Sequence, residues 1–345
     1  MSYKTSTKKL KYFDVQRGFT IIEFMVASIL AMLVLLAIGV TYGTTNRAKQ
    51  TSEGRLAAQQ DLRNAAEMIV RDARMAGSFG CFNMGNLISK QFSGFTLSNH
   101  FSLSLNDSLA SGVGVLDHTN AAVQNAFKAG NPNFILSSDP LVFTYGINPE
   151  VIQVNGGVAS VSSTSEAAKW SQAGGNVAVA SCLNMEINGV TIDTAGNLQH
   201  TNSPFVSNEN TRTVFYAPQT MVSQVYSVAY ATGRISTVDT VNGLYRFNLN
   251  TDGSWGSPQL MVADINGAMQ VNSIYAGCAI DDTASTYNQD RQVLETSGFA
   301  RISFMPVLLE LRFGMNDSNN INKHGVVEDY MIRANVRGGN VCAGQ

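Results

Sequence analysis

Residues 18–46 read GFTIIEFMVASILAMLVLLAIGVTYGTTN, and from Phe24 to Asn46 no side chain is charged. Wound as a helix, that run is roughly 35 Å long, enough to cross a hydrocarbon core of about 30 Å. Immediately upstream lie Lys4, Lys8, Lys9, Lys11 and Arg17 against the single acid Asp14. A basic flank on the N-terminal side keeps that end cytoplasmic and sends the remainder across the inner membrane. A cleavable secretory signal fits poorly, because the apolar run exceeds about 15 residues and no A-x-A site follows it. Five of the 23 Lys and Arg lie in residues 1–18, but only one of the 25 acids does, so the body is acidic. Charged residues make up 14% of the chain, against about 25% in an average domain. There is no basic excess to imply a nucleic-acid partner.

One residue in the apolar block needs an explanation. Glu23 sits between Phe19, Ile21 and Ile22 on one side and Phe24, Met25 and Val26 on the other. An acid at the centre of a spanning helix costs about 2.5–3.5 kcal/mol, and less near an end. The next base along the helix is Arg47, six turns away by about 3.6 residues per turn. The expectation from sequence is therefore that Glu23 has no partner in its own helix and that a second chain supplies a cation.

The string RGFTIIE resembles the class III signal of type IV prepilins. In that family a short basic leader ends in Gly, and a prepilin peptidase cuts after it from the cytoplasmic side. The resemblance implies cleavage between Gly18 and Phe19, N-methylation of Phe19, and a role for Glu23 as the acid that meets the Phe19 ammonium of a neighbouring subunit. It also divides the chain into a leader (1–18), the membrane half of a long helix (19–46), an amphipathic half (47–76) and a periplasmic head (77–345).

In residues 47–76, Leu62, Ala65 or Ala66, Ile69, Ala73 and Ala76 recur in steps of four and three, which is one helical face. Arg55, Arg63, Arg71, Asp61, Glu67 and Asp72 are expected off that face. A coiled-coil dimer is the weaker reading, because the good heptads are few and Ala dominates. Gly77 and Gly80 mark the helix end. The stretch DLRNAAEMIVRDARMAGSFGC resembles the PilW-type minor pilins, with Ala76, Gly77, Phe79, Gly80 and Cys81 on that family's turn.

Beyond the helix the pattern changes to period two. Segments 140–147, 176–187, 221–231, 244–250, 301–313 and 330–338 read as strands. Asn188-Gly189, Asn242-Gly243 and Asp252-Gly253 read as turns between them. Residues 83–133 are expected to form an irregular excursion. The order QVYSVAY, GLYRF, LMVADINGAMQVNSIYAG and YMIRANVRGGN also resembles PilW-type heads, although Val336-Arg337-Gly338 departs from that family's ending. The fold class expected is α+β and pilin-like, with a long N-terminal helix packed on a large antiparallel β-rich head.

Cys81, Cys182, Cys278 and Cys342 all follow the membrane segment, and an even count in an oxidising compartment points to two disulfides. Three pairings satisfy that count. Cys81–Cys182 with Cys278–Cys342 is favoured, since each joins a strand cysteine to a looser segment. Buried free thiols are the plain alternative. His100, His118, His200 and His324 sit in polar, turn-like contexts with no metal spacing, and no catalytic motif appears. No enzymatic activity and no cofactor are expected. Asp281, Asp282 and Asp290, or Asn316, Asp317, Asn319 and Asn320, could offer oxygen ligands to calcium, but solvated turns explain them better.

The resemblance implies a minor pilin that helps prime type IV pilus assembly and ends at or near the tip. Its partners would be the prepilin peptidase, other minor pilins and the major pilin, a tip adhesin, the inner-membrane assembly platform and membrane lipid. The alternative is a minor pseudopilin of a type II secretion system, which shares the leader, the acid and the rod. A periplasmic enzyme or binding domain on a plain anchor would leave Glu23 without a purpose.

Overall fold

A computed structural model describes residues 20–86, 112–155, 157–182, 185–187, 190–199, 219–236, 241–279, 284–299, 301–315, 330–336 and 342. The chain divides into two compact units, residues 1–57 and residues 58–345. Helix α1 (Ile21–Met75) begins in the first and ends in the second. It is the one helix among the described residues long and apolar enough to cross a membrane. In the first unit its side chains from Ile21 to Tyr42 are exposed all round. That distribution fits a helix whose apolar surface meets something other than its own chain. Gly39, Gly43 and Gly54 lie inside the helix with nothing within 4 Å of a built Cβ.

The second unit is built on an antiparallel sheet. Seven strands form its continuous path: β1 (Val113–Val115), β2 (Leu141–Val151), β3 (Met221–Ile235), β4 (Asn242–Asn248), β5 (Gln259–Cys278), β6 (Leu308–Met315) and β7 (Tyr330–Asn335). Each pairs with the next of the seven along the chain. Strand alternation is the cause. In β3, Val228 and Tyr230 belong to one core and Ala229 and Ala231 to another, so this inner strand is buried on both faces.

The first core joins α1 to the sheet. Leu62, Ala65, Ile69, Ala73 and Ala76 pack in it with Phe143, Tyr145, Val228, Tyr230, Leu309, Leu311 and Ile332. The expected pair of alternatives at 65 and 66 resolves to Ala65, which is fully buried, while Ala66 is half-buried. The helix ends where predicted. Gly77 adopts φ +70°, its N–H bonds to the Thr144 carbonyl at 2.8 Å, and a Cβ there would lie 2.6 Å from Met305 Sδ. No other residue meets both demands.

The second core, on the opposite face, is aromatic. Helix α2 (Ala121–Lys128) brings Phe127 onto Trp255, stacked at 4.9 Å, and edge-on to Phe247 at the same spacing. Asn120 caps that helix by accepting from the Ala122 N–H at 2.9 Å. A third core surrounds α3 (Glu166–Gln172), capped by Ser165.

Several sequence expectations change here. Residues 112–133 are ordered into β1 and α2 rather than an irregular excursion, and residues 87–111 lie outside the described part. Segment 176–187 splits into Val177–Ala180 and Met185–Glu186, and 301–313 splits into Arg301–Ile302 and β6 on either side of Pro306. Asn242-Gly243 opens β4 instead of forming a turn, whereas Asp252-Gly253 does turn, with Gly253 at φ +80°. Asn188-Gly189 lies outside the described residues. The longest strand among the described residues, β5, has 20 residues and lies outside the segments whose alternation predicts strands. Its alternation is broken by a bulge between Asn266 and Gln270, where Gly267 has φ +78°.

Candidate functional site

The N-terminal turn of α1 holds the acid of the apolar block. Glu23 lies in the first turn and is exposed. Its carboxylate oxygen Oε2 accepts from the Thr20 backbone N–H at 3.1 Å and from the Thr20 hydroxyl at 3.0 Å. The Glu23 N–H in turn donates to Thr20 Oγ1 at 3.3 Å. This is a reciprocal capping box, T-x-x-E, which satisfies donors that a helix start leaves free.

The expectation that Glu23 has no partner in its own helix is therefore corrected, because Thr20 provides two hydrogen bonds. Both donors are neutral, and Glu23 forms no ion pair among the described residues. The positive end of the helix dipole lies at the same turn, which favours an acid there. The signal was present in the sequence as Thr20-Ile21-Ile22-Glu23. Gly18 and Phe19, the expected cleavage and methylation residues, lie outside the described residues.

A second polar group sits at the other end of α1. Asp72 is fully buried, against the expectation that it faces away from the sheet. Tyr230 donates to its Oδ2 at 2.5 Å and Tyr145 to its Oδ1 at 3.1 Å. Arg246 places Nη2 at 3.7 Å from Oδ2. The same guanidinium donates to the Tyr230 hydroxyl at 3.3 Å, the Tyr226 hydroxyl at 3.0 Å and Asn248 Oδ1 at 2.7 Å. Burial, and then the Asp72 charge, push the phenols of Tyr145 and Tyr230 well above their ordinary range. They stay protonated donors across all physiological pH. A buried carboxylate survives this way, with its oxygens bonded and a cation close by.

Both disulfides are in the second unit. Cys81 and Cys182 are joined with Cα atoms 4.7 Å apart, and Cys278 and Cys342 with Cα atoms 5.6 Å apart. The first closes the turn after α1 onto the end of strand Val177–Ala180. The second closes the end of β5 onto Cys342.

The fold also brings Asp139 to His118. His118 Nδ1 lies 2.6 Å from Asp139 Oδ1, which accepts the His118 backbone N–H as well. With Asp117 they place one potential ligand atom each within 4.8 Å of one another. Asp117 Oδ1 is already engaged by the Thr119 N–H and hydroxyl, which hold its carboxyl below the usual range. These bonds order the turn into α2. Of the calcium candidates, Asp290 caps helix α4 (Arg291–Thr296) by accepting from the Gln292 N–H. Asp281, Asp282, Asn316, Asp317, Asn319 and Asn320 lie outside the described residues, as do His100, His200 and His324.

No family model matches the chain, and comparison with curated proteins and with solved structures gives no match.

Proposed function

We propose that this protein is a minor pilin of the type IV pilus, similar to the PilW type, processed between Gly18 and Phe19 and held in the inner membrane by the first half of α1. Its head lies in the periplasm. From there it joins other minor pilins to prime assembly and ends near the pilus tip, with the prepilin peptidase, the assembly platform, the major pilin and a tip adhesin as partners. It carries no enzymatic activity and needs no cofactor.

The observation that carries this reading is Glu23 in the first turn of a helix whose following turns are apolar and exposed all round. Capping by Thr20 gives the acid a local use in any helix, but it leaves the carboxylate exposed at the membrane end with no ion pair among the described residues. An assembling helix gives it a further use, because its carboxylate can meet the amino terminus of a neighbour. Thr20 satisfies hydrogen bonds in the single chain but brings no compensating charge. A second chain can add one.

The test has two arms. Intact-mass measurement of membrane-extracted protein should give a chain that begins at Phe19 and carries one methyl group. Glu23→Ala should still be cleaved but should fail to co-purify with partner pilins, and surface pili should fall. A mature start elsewhere, or normal association of Glu23→Ala, refutes the proposal. Loss of secretion with normal piliation would assign the chain to a secretion pseudopilus instead.

A further inference from the structure

The path of strands in the second unit ends at β7, and among the described residues no strand pairs with its outer side. β7 keeps one unbroken register with β6, from Tyr330 opposite Phe313 to Asn335 opposite Leu308. Just past that pairing, the Val336 N–H donates to the Val307 carbonyl at 3.0 Å. Residues bonded to the neighbouring strand alternate along an antiparallel ladder. The backbone N–H and C=O groups of Tyr330, Ile332 and Ala334 therefore face β6, and those of Met331, Arg333 and Asn335 face outward.

An edge of this kind is a template for another strand unless something blunts it. β7 contains no proline and no bulge. Its charged side chain, Arg333, is turned onto β6, where Nε donates to Glu310 Oε1 at 2.8 Å. The two faces beside the edge differ. On one, Ile332 and Ala334 are buried in the first core, and the Tyr330 ring lies 5.6 Å from that of Phe313. On the other, the largely buried Glu310 carboxylate is shared by Arg333 and by Arg312, whose Nη2 lies 3.9 Å from Oε2. Two guanidiniums on one carboxylate leave that face with net positive charge.

We propose that the outer edge of β7 accepts an extended segment of a partner protein as an added strand, apolar at the positions beside Ile332 and Ala334 and acidic at the positions beside Arg333. Main-chain bonds would supply affinity and the alternating side chains specificity. The same edge of a second copy fits poorly. The antiparallel register that uses Met331, Arg333 and Asn335 together sets Arg333 opposite itself, and like charges directly opposite are destabilising. β7 has this edge whether or not the chain joins a pilus.

Residue-resolved amide exchange on the full oxidised chain in detergent reads the edge directly. In the chain alone, Met331, Arg333 and Asn335 should exchange fast, and Ile332 and Ala334 slowly. The probes are two capped synthetic peptides, one alternating valine with glutamate and one alternating valine with lysine. At about ten times its Kd, the glutamate peptide should slow the outward amides about tenfold, and the lysine peptide should not slow them. Met331→Pro removes an outward N–H and no bond to β6, so the head should stay folded and lose the glutamate peptide.

Slow exchange at Met331, Arg333 and Asn335 in the chain alone would overturn the proposal, because the chain would then cover its own edge. So would equal action of the two peptides, no action of the glutamate peptide, or full binding to folded Met331→Pro. If Met331→Pro does not fold, Asn335→Pro at the other end of β7 carries the same prediction, and the peptide comparison on the unsubstituted chain decides by itself.

Discussion

Tyr230 donates a 2.5 Å hydrogen bond to Asp72 across 158 residues of chain. That bond ties the end of the long helix to an inner strand of the sheet. It also joins two residue types that, read locally, belong to a helix surface and a strand core.

Removing Asp72 should be among the most damaging changes in the second unit. Asp72→Ala leaves two phenols buried without their acceptor and Arg246 without its buried counter-charge. Breaking such a pair from one side costs about 3–5 kcal/mol. Tyr230→Phe removes one donor while Tyr145 and Arg246 remain, and should cost about 1–3 kcal/mol. Urea unfolding of the oxidised chain in detergent checks both. Equal midpoints for Asp72→Ala and wild type would show that the carboxylate is not engaged.

The same network should be visible in alkali. Tyr145 and Tyr230 have folded pKa values raised above the unfolded value of about 10. A raised folded pKa contributes stability that is complete below the unfolded value and lost as pH rises through the folded one. Of the 11 tyrosines, the exposed ones should ionise near pH ~10. Tyr145 and Tyr230 should ionise only as the sheet unfolds. Absorbance at the phenolate band, followed together with circular dichroism, tests this. Full tyrosine ionisation before any loss of structure would contradict the burial of these hydroxyls.

At the membrane end, Thr20→Val removes the hydroxyl that both accepts from the Glu23 N–H and donates to its carboxylate. A lost cap costs about 0.5–2 kcal/mol. Amide exchange in the first turn should accordingly speed up by about 2- to 30-fold. Thr20→Ser should exchange like wild type. Hydrogen exchange of the full chain in bicelles, read at Ile22 to Phe24, measures it. If Thr20→Val leaves those amides as protected as before, the capping box does not form in lipid.

The two disulfides should differ in reactivity. Cys81 and Cys182 are both exposed, whereas Cys278 is buried and Cys342 half-buried. Thiol exchange requires access to a sulfur. A graded reductant, followed by alkylation and peptide mass mapping, should label Cys81 and Cys182 first. Losing that bond should destabilise the head by roughly 2–5 kcal/mol at most, since the effect is largest in small domains. Labelling of Cys278 ahead of Cys81 would reverse this assignment.

Local chemistry made the long helix legible. The uncharged run after Phe24, the acid at Glu23 and the glycine at Gly77 each act within a turn or two of their own position, so their consequences can be read without the fold. The same holds for the alternating apolar runs that became β2, β3 and β7. The capping box is equally local, since Glu23 is the fourth residue of Thr20-Ile21-Ile22-Glu23, but the apolar block around it draws attention to its charge instead. Asp72 was beyond such reading. Its burial depends on hydroxyls from Tyr145 and Tyr230 and on the charge of Arg246, which come from three different strands. A helix stripe can be scored for hydrophobicity in isolation, but a buried carboxylate is tolerable only where distant donors converge on it. Only the tertiary structure decides where that convergence occurs.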